Sequence, residues 1–131
     1  MRVYLCRHGE AAPGDPDDLR ELTADGHEQA RALGEQLAAL PLPPRQVLSS
    51  PLVRARQTAD DVAAALGVAA EPKDELLPGA TVASLRRALL GVPGPVAVVG
   101  HQPDCSEIAL AVTGADPGFA PGAMAELELD P

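Results

Sequence analysis

The sequence predicts a three-layer α/β/α fold around a mostly parallel sheet. Short runs of strand-forming residues alternate along the whole chain with segments whose apolar residues recur at helical spacing, a pattern that folds as a sheet with helices on both faces. Val96–Val99 is a continuous β-branched and alanine run, as expected of a strand covered on both sides. At 131 residues, with no internal repeat and no linker-like stretch, the chain reads as a single domain, residues 1–131.

The elements follow in order. Val3–Cys6 is a short apolar strand that stops abruptly at Arg7, His8, Gly9 and Glu10. Such a strand delivers a cation and an imidazole to its tip, and Gly9 permits a sharp turn or a close backbone approach beside them. Ala11–Leu22, with Pro13, Gly14, Pro16 and its aspartates, reads as a loop. Thr23 caps a helix carrying Ala30, Leu33, Leu37 and Leu40, which Pro41 stops. Gln46–Ser49 is a second strand. Ser50 and Pro51 form an N-cap and first-turn pair for a helix with Leu52, Ala55, Ala59, Val62 and Leu66 inward and Gly67 closing it.

Val68–Glu71 is a third strand, and the turn-like Pro72–Gly79 leads to Thr81 and a shorter helix carrying Leu85, Leu89 and Leu90. The buried strand Val96–Val99 ends in Gly100-His101-Gln102-Pro103, Ser106–Val112 is helical, and Ala123–Leu129 is a last strand. Glu126, Glu128 and Asp130 on that strand suit a protected sheet edge. In an open sheet of this class, ligands bind beyond the carboxyl ends of the strands. His8, Ser50 and His101 each follow a strand, so the three are expected on one rim.

Composition excludes several classes of partner. A net charge of −9 argues against nucleic acid and anionic membrane. With Tyr4 and Phe119 as the only aromatic residues, there is no platform for stacking single-stranded bases. No run is apolar and long enough to span a bilayer, and no secretory leader is evident, which points to a cytoplasmic, monomeric protein. Cys6 and Cys105 are too few for a disulfide framework and suit a reducing compartment. Any anion site here would be a local island of positive charge in a negative protein.

Three motifs carry the chemistry. The first is Arg7-His8-Gly9. The second is Ser49-Ser-Pro-Leu-Val-Arg-Ala-Arg-Gln-Thr-Ala59, in which Arg54 lies about one turn into a helix, where the helix dipole opposes a cation and an anion is needed to hold it. Arg56 reads as a solvated surface residue. The third runs from Val98 through Gly100-His101-Gln102-Pro103 to Thr113-Gly114.

Together these resemble the histidine phosphatase superfamily, the phosphoglycerate mutase-like family. The Arg-His-Gly tripeptide, the Ser50-Pro51…Arg54-Ala55…Gln57-Thr58-Ala59 block and the second histidine, His101, match it. The run from His101 through Pro103 and Glu107-Ile-Ala to Thr113-Gly114, the segment Leu22-Thr23…Gly26…Gln29-Ala30 and the Leu77-Pro-Gly-Ala turn resemble its small SixA-type phosphohistidine phosphatase branch. The resemblance extends from residue 1 to about residue 129.

The resemblance implies a phosphatase that needs no metal or other cofactor. His8 would be transiently phosphorylated, while Arg7, Arg54 and a protonated His101 bind the phosphoryl group. Elementary chemistry supplies the reason for these residue types. A neutral imidazole attacks phosphorus, guanidinium forks match phosphate oxygens, and crowded positive charge keeps an imidazole unprotonated. That reasoning alone does not choose His8 over His101 as nucleophile.

For the proton donor, Glu75 is the nearest match by position, with Glu10 and Asp15 also close in sequence to the nucleophile. Arg20 is a candidate for the substrate rim. Only about ten residues separate the third strand from the next helix, so no large lid covers the site. An open site favours a phosphatase over a mutase. The expected substrate is a phosphorylated histidine on a protein, with inorganic phosphate as product, and a small phosphate ester is the alternative. Two further alternatives are a non-catalytic phosphate-binding module and a zinc site built from Cys6, His8, His101 and Cys105.

Overall fold

The structure, a computed structural model, describes all 131 residues. Its centre is a five-stranded sheet in the order β3-β2-β4-β1-β5. The strands are β1 (Arg2–Arg7), β2 (Gln46–Ser49), β3 (Ala70–Pro72), β4 (Val96–Gly100) and β5 (Met124–Glu128). The first four run parallel, and β5 lies antiparallel along β1. The helices are α1 (Ala24–Ala38), α2 (Val53–Leu66), α3 (Val82–Ala88) and α4 (Asp104–Thr113).

Alternation along the strands divides the core into two layers. Val3, Leu5, Val96 and Val98 pack with Leu85 and Leu89 near α3 and with Ile108 of α4. Tyr4, Cys6, Ala97 and Val99 face the other way, onto Leu33 and Leu37 of α1 and Ala55, Ala59 and Val62 of α2. Every residue of β4 is buried, as its unbroken apolar run predicts. Gly34 brings α1 and α2 together, since a Cβ there would lie 2.7 Å from that of Ala65.

Thr23 caps α1 by accepting from the Gly26 amide, and Gly67 closes α2 with φ 69°. Thr81 opens α3 in a reciprocal capping box with Ser84. Where boundaries differ from expectation, hydrogen bonds supply the reason. Ser50 is not the N-cap of α2, because its amide still pairs with the Val99 carbonyl (3.0 Å), as in a continued strand, and Leu52 takes the cap position. The third strand starts at Ala70 rather than Val68, whose amide is spent on the Ala63 carbonyl (3.1 Å) at the end of α2.

α4 begins at Asp104, two residues early, because the Cys105 amide already bonds the His101 carbonyl (2.9 Å). Leu90 is 66% exposed, since α3 ends at Ala88 and Leu89 fills the inward position. The segment 11–22 is more ordered than a plain loop. It is closed by a bridge between Ala11 and Leu22 and carries a single 3-10 turn at Asp17–Leu19. At the edge, Glu126 and Glu128 of β5 pair with Arg2 of β1. No helix is long and apolar enough to cross a membrane.

Candidate active site

The parallel register sets the site. Arg7 lies opposite Gly100, and Ser49 opposite Val99, so β1, β4 and β2 end side by side. The His8 amide donates to the Gly100 carbonyl (3.1 Å), carrying the β1–β4 pairing one residue past the strand. His8, Ser50 and His101 thus emerge at one rim, with the two imidazole centroids 5.2 Å apart and the rings inclined at 62°.

His8 is half-buried, and its Nδ1 lies 2.6 Å from the Gly9 carbonyl oxygen. A carbonyl only accepts, so Nδ1 carries the proton and Nε2 keeps its lone pair. Burial lowers the His8 pKa to about 4, with smaller contributions from the charges of Arg54, Arg7 and Arg20, against an opposing effect of the Gly9 carbonyl. His101 is 4% exposed, and its Nε2 lies 2.8 Å from Ser50 Oγ. Burial first, then His8 and Arg54, bring its pKa down to about 3. The expected protonated His101 belongs to the phosphoryl-bound site; in the ligand-free chain burial favours its neutral form. A ring enclosed by protein and beside Arg54 keeps a single N–H and takes no second proton at neutral pH.

The guanidinium groups are already engaged. Arg7 Nη1 donates to the Phe119 carbonyl (2.9 Å). Arg54 is 7% exposed, and the anion its place in α2 requires is Asp17. Nη1 donates to the Asp17 carbonyl (2.9 Å) and Nη2 to its carboxylate Oδ2 (3.1 Å). Arg20 reaches the other oxygen, Oδ1, at 3.0 Å, while its Nε donates to the Ala12 carbonyl (2.8 Å). Arg20 is thus part of the basic cluster, close enough to depress the His8 pKa. Arg56 is exposed, as read from the sequence. Two buried side-chain atoms have no hydrogen-bond partner, Arg7 Nε and His101 Nδ1, and both belong to this site. Unsatisfied buried polar atoms are costly, and an incoming oxyanion is suited to the Arg7 N–H.

Residues 3–77 match the sequence profile of the histidine phosphatase superfamily, branch 1. The chain belongs to this superfamily. It is 38% identical over 120 residues to an uncharacterised protein of Picosynechococcus, covering 86% of this chain and 73% of that one. It is 30% identical to the phosphohistidine phosphatase SixA of Escherichia coli, covering 99% of this chain and 86% of the relative. Its fold superposes on a structure of the protein histidine phosphatase SixA complexed with tungstate, with a TM-score of 0.86 at 30% identity, covering 99% of this chain and 89% of that chain.

Within this histidine phosphatase, the motif residues that touch no other site side chain brace the rim. Thr58 Oγ1 accepts from the Gly9 amide (3.1 Å) and donates to the Arg54 carbonyl (2.8 Å), tying the His8 turn to the arginine helix. Gln57 accepts from the Leu22 amide (2.8 Å) and donates to Glu21 (3.2 Å), anchoring the end of segment 11–22. Gly9 and Gly26 are pressed together, so that a Cβ on Gly9 would collide with the Gly26 carbonyl and one on Gly26 with the Glu10 carbonyl. Sequence reasoning missed Asp17, and it quoted Thr58 within the motif without finding its bracing role. The lone cation early in α2 required some anion, yet nothing in the sequence chose among the nearby carboxylates.

The three candidate acids separate. Glu10 is exposed, and its carboxylate accepts from the Thr23 hydroxyl (2.9 Å) at the start of α1. Glu75 stands half-buried on a 3-10 turn (Asp74–Leu76) just past β3, on the same rim as the histidines, with no ion pair. Asp15 is exposed on the outer loop. The zinc alternative does not assemble, because no group of three His, Cys, Asp or Glu side chains is placed to hold a metal. Cys6 and Cys105 lie in the two different core layers, and burial raises both thiols, that of Cys105 to about 12.

Proposed function

We propose that the chain is a phosphohistidine phosphatase working through a phosphorylated His8. The observation that carries the reading is the 2.6 Å contact between His8 Nδ1 and the Gly9 carbonyl. It fixes the tautomer so that Nε2 is the free nucleophilic atom, while burial keeps it unprotonated at neutral pH. Three arginines within one rim supply charge to the equatorial oxygens of the transferring group.

In the first step Nε2 forms a bond to phosphorus as the substrate's phosphorus–nitrogen bond breaks, and the electron pair leaves on the substrate nitrogen. In the second, water attacks phospho-His8, the imidazole recovers its electron pair, and inorganic phosphate departs. A phosphohistidine whose distal ring nitrogen is protonated leaves as neutral imidazole and requires no acid from the protein. The likeness to SixA and the tungstate, a tetrahedral oxyanion, in its solved complex support this reading. So does the short connection from β3 to α3, residues 73–81, which leaves no room for a large lid.

The test is to mix the chain with a radiolabelled phosphohistidine protein and quench in alkali, where phosphohistidine survives. Label should appear on the chain and turn over without change in excess chelator. The His8→Ala variant should neither label nor turn over. Turnover retained by that variant refutes the assignment.

A further inference from the structure

We propose that Asp17 is a specificity-determining residue, an ionised carboxylate held at the mouth of the site that selects phosphoryl groups on a cationic nitrogen leaving group over dianionic esters. This rests on the phosphatase reading above. The geometry is the argument. Asp17 is clamped by two arginines from different segments, with Oδ2 on Arg54 Nη2 (3.1 Å) and Oδ1 on Arg20 Nη1 (3.0 Å). Its main-chain carbonyl is held by Arg54 as well (2.9 Å). The Arg54 side chain is 8% exposed and that of Asp17 64%, so the pair runs from the floor of the site outward, with the carboxylate on the solvent side.

Asp17 is near enough to the site for its charge to act on His101, so a leaving group on a phosphoryl held among Arg7, Arg54 and His8 comes within reach of its carboxylate on the solvent side. Two consequences follow from the sign of the charge. The phosphoryl group is dianionic in both substrates, so a fixed negative charge beside Arg54 opposes both, and only the leaving group can offset it. A phosphohistidine protonated on its distal nitrogen carries a cationic ring, whose N–H can donate to the carboxylate. The proton stays on that nitrogen while the phosphorus–nitrogen bond breaks and the pair returns to the ring, which leaves neutral. An alkyl ester oxygen needs a proton, which an ionised Asp17 cannot supply; p-nitrophenolate leaves without one, and its phosphate ester therefore reads the effect of the charge alone. Hydrogen bonds from Arg20 and Arg54 hold the Asp17 carboxyl below the usual range, so it remains ionised.

The test compares kcat/KM of the unsubstituted chain and of Asp17→Asn on a phosphohistidine peptide and on p-nitrophenyl phosphate. Asparagine keeps the size, the carbonyl acceptor and the main-chain bond to Arg54. From the loss of one screened charge, the ratio of phosphohistidine to ester turnover should fall at least about fivefold, with ester turnover rising and phosphohistidine turnover falling. Asp17→Glu, which restores the charge, should recover most of the ratio.

Parallel loss on both substrates means that Asp17 only positions Arg54, and overturns the proposal. An unchanged or increased ratio overturns it too. If the unsubstituted chain turns over the ester and leaves the phosphohistidine intact, the phosphatase reading itself is wrong in its substrate, and this proposal falls with it.

Discussion

Acidification is the perturbation that most directly probes the site. An ordinary imidazole, with a pKa of about 6.5, is about nine-tenths protonated at pH 5.5. His8, lowered to about 4 chiefly by burial, should be almost wholly neutral there, and His101, lowered to about 3, more so. The assay is a titration of the imidazole Cε1–H resonances in the ligand-free chain, assigned with single histidine variants. The signals of His8 and His101 should not move between pH 8 and about 5.5.

The same shifts give a stability prediction. Because both folded-state values lie below the unfolded one, the unfolded chain binds more protons between pH 6.5 and the folded values. Stability contributed by these two groups is therefore complete above about pH 6.5 and is lost as pH falls toward 4. For His8 the shift corresponds to about 3 kcal/mol in that window. Denaturant midpoints of the unsubstituted chain and His8→Asn, followed from pH 7 to pH 4, isolate the His8 contribution, since exposed carboxylates cancel in the comparison. A midpoint near pH 6.5 for the His8 signal, or parallel stability curves for the two chains, would refute the burial argument.

Other perturbations test separate parts of the site. Arg54→Lys keeps the charge and loses the fork, and should lower kcat by about 100-fold or more, read in steady-state kinetics. Ser50→Ala removes the partner of His101 Nε2, a ring whose Nδ1 is already unpaired, and should cost about 1–3 kcal/mol in denaturant unfolding. Gly26→Ala drives a Cβ into the Glu10 carbonyl and should cost about 1–3 kcal/mol by overpacking, with a further fall in kcat because Gly9 lies against the same residue. Binding of inorganic phosphate places negative charge beside His101 and should raise its pKa. Calorimetry in buffers of different ionisation enthalpy should then show proton uptake near pH 6, and proton release would contradict this electrostatic account.

Much of the fold was legible because its signals are local. β2 falls at Gln46–Ser49 as read, and Thr23, Thr81 and Gly67 mark helix ends as their chemistry requires. The convergence of His8, Ser50 and His101 was legible for a topological reason, since parallel strands of one sheet end on the same side. What escaped is what depends on contacts across the fold. The role of Ser50 turns on a choice between capping α2 and meeting His101, and only the β2–β4 register decides it. Protonation of His101 depends on its depth, which a residue after a strand does not disclose. The loop around Asp17 owes its order to Arg54 and Gln57, both from α2, so no local signal in residues 11–22 could announce it.

The resting charge of the site bears on how so acidic a protein holds phosphate. With both histidines neutral at physiological pH, the positive charge comes from Arg7, Arg20 and Arg54, and one carboxylate already offsets part of it. Arg54 can then be buried without a ligand, because Asp17, on the solvent side, accepts from both of its terminal nitrogens. Had the cluster been left bare, burying Arg54 would have opposed folding, and any small anion would have relieved the strain. On the proposal made for Asp17, the same carboxylate would disfavour small oxyanions, which bring no cationic group to set against its charge.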